Sequence, residues 1–117
     1  MSLPVDPVHA AVIGATGATG IHLDRELLAR GTQVRVLSRS AEHLQQAFAD
    51  LAVEQRVADA TDSQAVRAGI EGCDVVFDCG ANVGDVTAPL AATGATVHAF
   101  EPDPFAFGQL SRRTSSE

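Results

Sequence analysis

Three glycines at regular spacing give this sequence its clearest chemical signal. They are Gly14, Gly17 and Gly20, and they follow the apolar run Ala10–Ile13 in the stretch HAAVIGATGATG. The run predicts a buried strand, and the glycines predict a sharp turn into a helix that begins near Ala18. Because the first N–H groups of a helix have no partner within it, such a turn can bind an anion. We therefore predict a pyrophosphate-binding turn formed by Gly14, Thr16, Gly17, Ala18, Thr19 and Gly20.

Each glycine has a separate predicted task. Gly14 permits the tight turn, because glycine adopts backbone conformations that strain other residues. Gly17 lets a pyrophosphate approach the backbone, and Gly20 lets the helix pack closely on the strand. The alternative is a tight turn of the same shape that binds no ligand.

A second candidate contact follows the next predicted strand. This strand is QVRVL, Gln33–Leu37, and Ser38 and Arg39 come directly after it. At the end of this strand, an arginine is placed to meet the 2′-phosphate of NADP, whereas NAD sites use an acidic residue there. The sequence therefore favours NADP over NAD, with Ser38 and Arg39 at the site. The alternative is that Arg39 only extends into solvent.

Apolar runs and helix-like segments alternate along the chain, and this order predicts the fold. Strands are expected at Ala10–Ile13, Gln33–Leu37, Val53–Ala58, Asp74–Cys79 and Thr96–Phe100. Helices are expected to begin near Ala18, Ser40, Ser63, after Asn82 and at Pro104. The pattern predicts an α/β, three-layer, doubly wound Rossmann-like domain with five parallel strands in the order 3-2-1-4-5. The ligand crevice then lies between the glycine-rich loops Gly14–Gly20 and Gly80–Gly84.

Length and composition limit the possible functions. A chain of 117 residues is one small domain, so we assign residues 1–117 to a single unit. Its 15 acidic and 8 basic residues give a formal charge of −7, which is unsuited to binding nucleic acid. The chain has no apolar run of about 18 residues and no secretion signal at its start, so we expect a cytoplasmic protein without a membrane partner. The scattered histidines suggest no metal site, and the two cysteines are expected to be small buried residues.

Five short motifs occur in order over residues 9–76: AVIGATGATG, LLARG, VRVLSRS, ADATD and GCDVVF. Together they resemble the NAD(P)-binding part of atypical short-chain dehydrogenases of the NmrA-like and epimerase-like groups. The resemblance implies that Asp59 and Ala60 contact the adenine ring, whereas the residues alone also allow Asp59 to cap the turn into the third helix. The Tyr-x-x-x-Lys pair that serves as acid and base in short-chain dehydrogenases is excluded, because the chain has no Tyr and all eight basic residues are Arg.

Residues 77–113 carry a second set of motifs. The fourth predicted strand runs into DCGAN at 78–82, and the fifth ends in EP at 101–102. This part is similar to the cofactor-binding half of FkbM-type methyltransferases. The resemblance implies an S-adenosylmethionine site formed by Asp78, Gly80, Asn82, Gly84 and Glu101. If a dinucleotide binds instead, its nicotinamide half contacts Gly80 and Ala81, so we expect the two cofactors to exclude each other.

The chain therefore resembles a hybrid, with a dehydrogenase-like half at 1–76, a methyltransferase-like half at 77–113 and a polar tail at 114–117. The polar end SRRTSSE is expected to fray, and Asp78 is the one carboxylate expected to be partly buried near the crevice. We predict an NADP-binding domain without a complete catalytic site, and no catalytic residue is identified. The alternatives are an NAD(P)-dependent oxidoreductase or epimerase fragment that needs a partner or a missing domain, a methyltransferase fragment, and a recombined or designed chimera without activity. A homodimer through the edge of the fifth strand or through the last helix also stays open.

Overall fold

Five parallel strands form one sheet in the described part of the chain, which comprises residues 8–79, Leu90, 96–101 and 104–114. The strands of this computed structural model are β1 His9–Ile13, β2 Gln33–Ser38, β3 Glu54–Val57, β4 Val75–Cys79 and β5 Val97–Phe100. Their order is β3-β2-β1-β4-β5, and every neighbouring pair is parallel. The predicted α/β doubly wound fold and its strand order are therefore confirmed.

Helices pack on both faces of this sheet and bury its alternating apolar side chains. The helices are α1 Ala18–Ala29, α2 Ala41–Phe48, α3 Ser63–Gly69 and α4 Pro104–Thr114. One core cluster joins the sheet to α1 and α2, and its buried members are Val12, Ala15, Val34, Val36, Leu44 and Phe48. The opposite cluster includes α3 and consists of Ala11, Ile13, Leu37, Ala58, Val66, Val76 and Leu90. The central strand β1 is thus buried on both faces, as parallel strands usually are.

Some predicted boundaries need correction. The end of the chain does not fray from Ser111, because α4 continues to Thr114. Arg112 and Arg113 lie in its last turn, where positive charge interacts favourably with the helix dipole. The third strand is shorter than predicted and exposed throughout, as befits the edge position of β3. The helix predicted to follow Asn82 lies outside the described residues.

Arg35 ties the middle of β2 to β3 and to the end of α3. Its Nε lies 3.0 Å from Oε2 of Glu54, and its Nη1 donates to the carbonyls of Gly69 at 2.8 Å and Glu71 at 2.7 Å. The Arg35 side chain is only 13% exposed. Arg56 also contacts Glu54, but it is half-exposed and follows the surface. Hydrogen bonds from Arg56 and then Arg35 hold the pKa of the Glu54 carboxyl below its usual value.

We expect Arg35→Met to lower the free energy of unfolding by about 2 kcal/mol or more, because two backbone carbonyls lose a charged donor. The matched variant Arg56→Met breaks an exposed ion pair and is expected to cost under about 0.5 kcal/mol. Urea unfolding of the two variants measures the difference. Equal losses would show that Arg35 contributes no more than a surface charge.

Candidate functional site

The glycine turn has the shape that its sequence predicts. Gly14 follows β1 with a φ of 73°, in the left-handed region that favours glycine. The N–H of Gly17 donates to the carbonyl of Gly14 at 3.2 Å and closes the turn. Helix α1 starts immediately afterwards, and the N–H of Ile21 donates to the carbonyl of Gly17 at 2.9 Å. The predicted strand, turn and helix start near Ala18 are therefore confirmed.

Close backbone contacts explain why two of the three positions hold glycine. A Cβ atom at Gly14 would collide with the carbonyl oxygen of Cys79, at the end of β4. A Cβ atom at Gly20 would collide with the carbonyl of Gly14 and lie 2.8 Å from Cα of Ala15. At Gly17 the nearest atom is 3.4 Å away, so packing alone does not exclude a side chain there. The role of Gly17 in admitting a pyrophosphate stays a prediction.

The N-terminus of α1 has no side-chain cap. Its N-cap residue is Gly17, and its first turn contains no acidic residue. In contrast, the hydroxyl of Ser40 accepts the His43 N–H at the start of α2, and the carboxylate of Asp62 caps α3. The first N–H groups of α1 thus lack the competing side-chain acceptor that α2 and α3 carry. An anion can therefore bind at this end without displacing a protein group.

The parallel strands bring several predicted residues to the same edge as the turn. Ile13 at the end of β1 pairs with Leu37 on one side and with Asp78 on the other. Ser38 ends β2, and Arg39 follows it with an exposed side chain. The Arg39 guanidinium makes no hydrogen bond or ion pair with the part of the chain that the structure describes, so its charge is available to a ligand.

Asp59 shapes the loop after β3. Its Oδ1 accepts the N–H of Thr61 at 2.9 Å and the Thr61 hydroxyl at 2.8 Å. These bonds lower the pKa of the Asp59 carboxyl, and the charge of Arg39 adds a smaller effect in the same direction. The residue that caps α3 is Asp62, three positions later, which our sequence analysis did not identify. Asp59 and Ala60 are both exposed, and their contact with adenine stays a prediction.

Two predicted residues of the S-adenosylmethionine site lie within the described part. Asp78 is only 3% exposed near the end of β4, and the half-buried Glu101 follows β5. Since Asp78 pairs with Ala99, the two strands end side by side. The predicted cofactor contacts in the loop after β4 lie outside the described residues. They are Gly80, Ala81, Asn82 and Gly84.

Asp78 is buried, as expected, but Asp24 is a second buried carboxylate, which the sequence patterns did not identify. It lies on α1 and is 0% exposed, and burial raises the pKa of its carboxyl to about 7. The available signal was its spacing, because Asp24 follows Gly20 by four residues and so shares its helix face. The half-buried Cys79 thiol lies close by. Burial, with the charges of Asp24 and Asp78, raises its pKa to about 11, so it is not a reactive thiolate.

Other kinds of site are not seen in the described ranges. No group of three or more His, Cys, Asp or Glu side chains there is arranged to hold a metal ion. Among the described helices, none has the length and apolar character needed to cross a membrane. A cavity of about 310 Å³ lies at the opposite, amino-terminal edge of the sheet, lined by His9, Arg35, Glu54 and Cys73 among others.

A family model described as NAD(P)H-binding matches residues 14–102. This span starts in the glycine turn and covers residues 14–76 of the dehydrogenase-like half and residues 77–102 of the methyltransferase-like half. Among curated proteins, sterol demethylase protein B of Methylococcus capsulatus is 39% identical over 72 residues, which are 62% of this chain and 22% of that protein. The chain thus spans about a fifth of this relative.

Solved structures of longer enzymes share the fold. A nucleoside-diphosphate-sugar epimerase from Pseudomonas aeruginosa superposes with a TM-score of 0.67 and 25% identity, over 79% of this chain and 32% of that chain. An oxidoreductase of the short chain dehydrogenase/reductase family from Burkholderia thailandensis superposes with a TM-score of 0.58 and 29% identity. The match covers 64% of this chain and 32% of that chain. The TrkA-N domain of an Escherichia coli inner membrane protein superposes with a TM-score of 0.75, over 95% of this chain and 85% of that chain. Its sequence identity is 17%, so this likeness supports the fold alone.

We expect Gly20→Ala to destabilise the protein by about 2 kcal/mol, because its methyl group overlaps backbone that cannot rotate away. This is the opposite of the usual gain of about 0.5–1 kcal/mol when Ala replaces Gly within a helix. The control Gly17→Ala has room for the methyl group and is expected to cost about 1 kcal/mol or less. Thermal unfolding of both variants decides the matter, and a stabilised Gly20→Ala protein would contradict the contact.

Proposed function

Because this chain belongs to the NAD(P)H-binding family, we propose that it is an NADP-binding Rossmann-like domain of the short-chain dehydrogenase and epimerase type, without a complete catalytic site of its own. The glycine turn 14–20 holds the pyrophosphate in this proposal, and the loops after β2 and β3 hold the adenosine. The nicotinamide half extends towards the loop that follows β4.

The observation that carries this proposal is the open N-terminus of α1. Its first turn has neither a side-chain cap nor an acidic residue, whereas α2 and α3 are both capped by side chains. Glycine at positions 14 and 20 keeps the turn tight against β4 and α1. A pyrophosphate bound there accepts hydrogen bonds from backbone N–H groups and is favoured by the helix dipole.

The preference for NADP rests on Arg39. Its side chain is exposed directly after β2 and makes no hydrogen bond or ion pair with a described residue. A guanidinium forms strong paired hydrogen bonds with a phosphate, so it can bind the 2′-phosphate that distinguishes NADP from NAD. Asp59 lies close enough to affect Arg39 electrostatically, but its carboxylate already accepts two hydrogen bonds from Thr61.

The absence of Tyr and Lys from this sequence supports a binding role rather than catalysis by this chain alone. The Tyr and Lys pair has to come from a partner of different sequence or from a segment outside this sequence, whereas a second copy joined at the edge of β5 would contribute only to a substrate site. Sedimentation equilibrium with and without NADP tests the second copy, because a monomer under both conditions excludes it.

S-adenosylmethionine is the second candidate ligand. The specific observation in its favour is that β4 and β5 are parallel neighbours, so Asp78 and Glu101 lie at the same edge. A carboxylate after β5 can accept hydrogen bonds from both hydroxyls of a ribose. The match of the NAD(P)H-binding model to residues 14–102 favours the dinucleotide instead.

Thermal titration with NADP, NAD and S-adenosylmethionine separates the candidates. A ligand at about 100 times its Kd is expected to stabilise the protein by about 2.7 kcal/mol. We expect Arg39→Ala to weaken NADP binding about tenfold or more and NAD binding less than about twofold, because only NADP has the 2′-phosphate.

The control Arg67→Ala removes an exposed charge in the last turn of α3 and is expected to leave both affinities unchanged. Equal weakening of NADP and NAD by Arg39→Ala would contradict the proposed role of Arg39. A shift with S-adenosylmethionine that is lost in Glu101→Gln would favour the second candidate. No shift with NADP or NAD would overturn the proposed function.

A further inference from the structure

Asp24 stands out as a buried acid without a partner. The residue is 0% exposed, and neither of its carboxyl oxygens has a hydrogen-bond partner among the described residues. Other aspartates of the described chain satisfy their oxygens with N–H groups, as Asp59 does with Thr61 and Asp62 with Gln64. An ionised carboxylate without such partners is strongly unfavourable in a protein interior.

Within the described part of the chain, no positive charge near Asp24 compensates for its ionisation. Its side chain shares a helix face with Gly20, one turn nearer the start of α1. Among the described residues, the titratable group that faces it is the Cys79 thiol of β4, which becomes negative when it loses a proton. The Asp78 side chain lies on the opposite face of β4, with Val76. The residues of β1 and β2 on the face that packs against α1 are apolar, namely Val12, Val34 and Val36. The ion pairs of the described residues involve other acids, Glu26 and Glu54.

The position of Asp24 connects it to the glycine turn. A helix rises 1.5 Å per residue, so Asp24 lies about 6 Å along the axis from Gly20. The pyrophosphate of the proposed function would place negative charge at the start of the same helix. Repulsion between two negative charges is stronger in a desolvated interior than in water. Binding of the anion therefore favours the neutral form of Asp24.

We propose that Asp24 takes up a proton when a nucleotide phosphate binds in the glycine turn, so that the protein with a neutral Asp24 is the form that binds NADP tightly. This inference rests on the proposed function, and it adds a regulation by pH that the glycine turn alone does not provide. The proton comes from the solvent, and no bond in the ligand changes. Coupling between two sites is reciprocal, so deprotonation of Asp24 weakens NADP binding by the same factor by which NADP favours its protonation.

The folded protein without ligand provides the reference. Burial raises the pKa of Asp24 from 3.8 to about 7, so between these two values the unfolded chain has lost this proton while the folded chain keeps it. The contribution of Asp24 to stability therefore falls as pH rises through this window and is constant above it. A neutral side chain at this position removes that fall.

Calorimetry in buffers of different ionisation enthalpy measures the proton uptake directly. At pH 7.5 we expect NADP binding to the wild-type chain to take up about 0.5 to 0.7 proton more than binding to Asp24→Asn, because about a quarter of Asp24 is already protonated without ligand. Between pH 6.5 and pH 8.5, NADP binding to the wild type is expected to weaken about tenfold relative to Asp24→Asn. The titration of the 2′-phosphate itself, near pH 6, affects all variants equally.

Asp50→Asn is the matched control, because Asp50 is exposed and its substitution changes the net charge by the same amount. It is expected to behave as the wild type. Asp24→Val provides a second neutral side chain if Asp24→Asn folds poorly. The thermal midpoint without ligand, measured from pH 5 to pH 8, is expected to fall less with rising pH in both neutral variants than in the wild type.

The outcomes separate this inference from the proposed function. NADP binding with the same proton uptake and pH profile in wild type and Asp24→Asn overturns the role of Asp24 and leaves the proposed function standing. The same conclusion follows if the thermal midpoints of wild type and both neutral variants change equally with pH. NADP binding to none of the proteins at any pH overturns both proposals. Proton uptake that is lost only in the Asp24 variants supports the coupling.

Discussion

The structure depends on the close approach of three backbone segments at the carboxyl edge of the sheet. Gly14 lies against the carbonyl of Cys79, and Gly20 lies against the carbonyl of Gly14. A single methyl group at either position would push the segments apart. This contact sets the distance between β1, β4 and the start of α1. It also directs the uncapped first turn of α1 to the edge where all five parallel strands end.

The same contact has two electrostatic consequences. The contact leaves the backbone N–H groups at the start of α1 open to an anion. The exposed Arg39 side chain follows β2 at the same edge of the sheet. One helical turn after Gly20, the close packing of α1 on the sheet also buries the carboxyl of Asp24. The features that favour phosphate binding therefore lie next to a group that resists negative charge. The proposed coupling between phosphate binding and protonation of Asp24 follows from helix packing, since Gly20 and Asp24 share one face of α1.

The sequence predicts much of this arrangement because the relevant signals are local. The apolar runs identify the strands, and the spacing of the glycines identifies the turn. The residues missed by the sequence analysis depend on other information. Leu23 and Leu27 have the spacing of a buried helix face, yet both are only half-buried while Asp24 is fully buried. The small residue Gly20 sets how α1 sits on the sheet. The bonds from Arg35 to α3 join residues 34 and 36 positions apart, which local patterns do not reveal.

We propose that the turn between β1 and α1 is the phosphate site. Amide chemical shifts of the ¹⁵N-labelled chain, recorded during titration with NADP, test it most directly. We expect the largest changes at the N–H groups of residues 14–20, because a bound pyrophosphate accepts hydrogen bonds from them. Changes of similar size are expected at Arg39. Saturable changes confined to the cavity around His9 and Cys73 at the opposite edge, or no saturable change at all, would contradict the account.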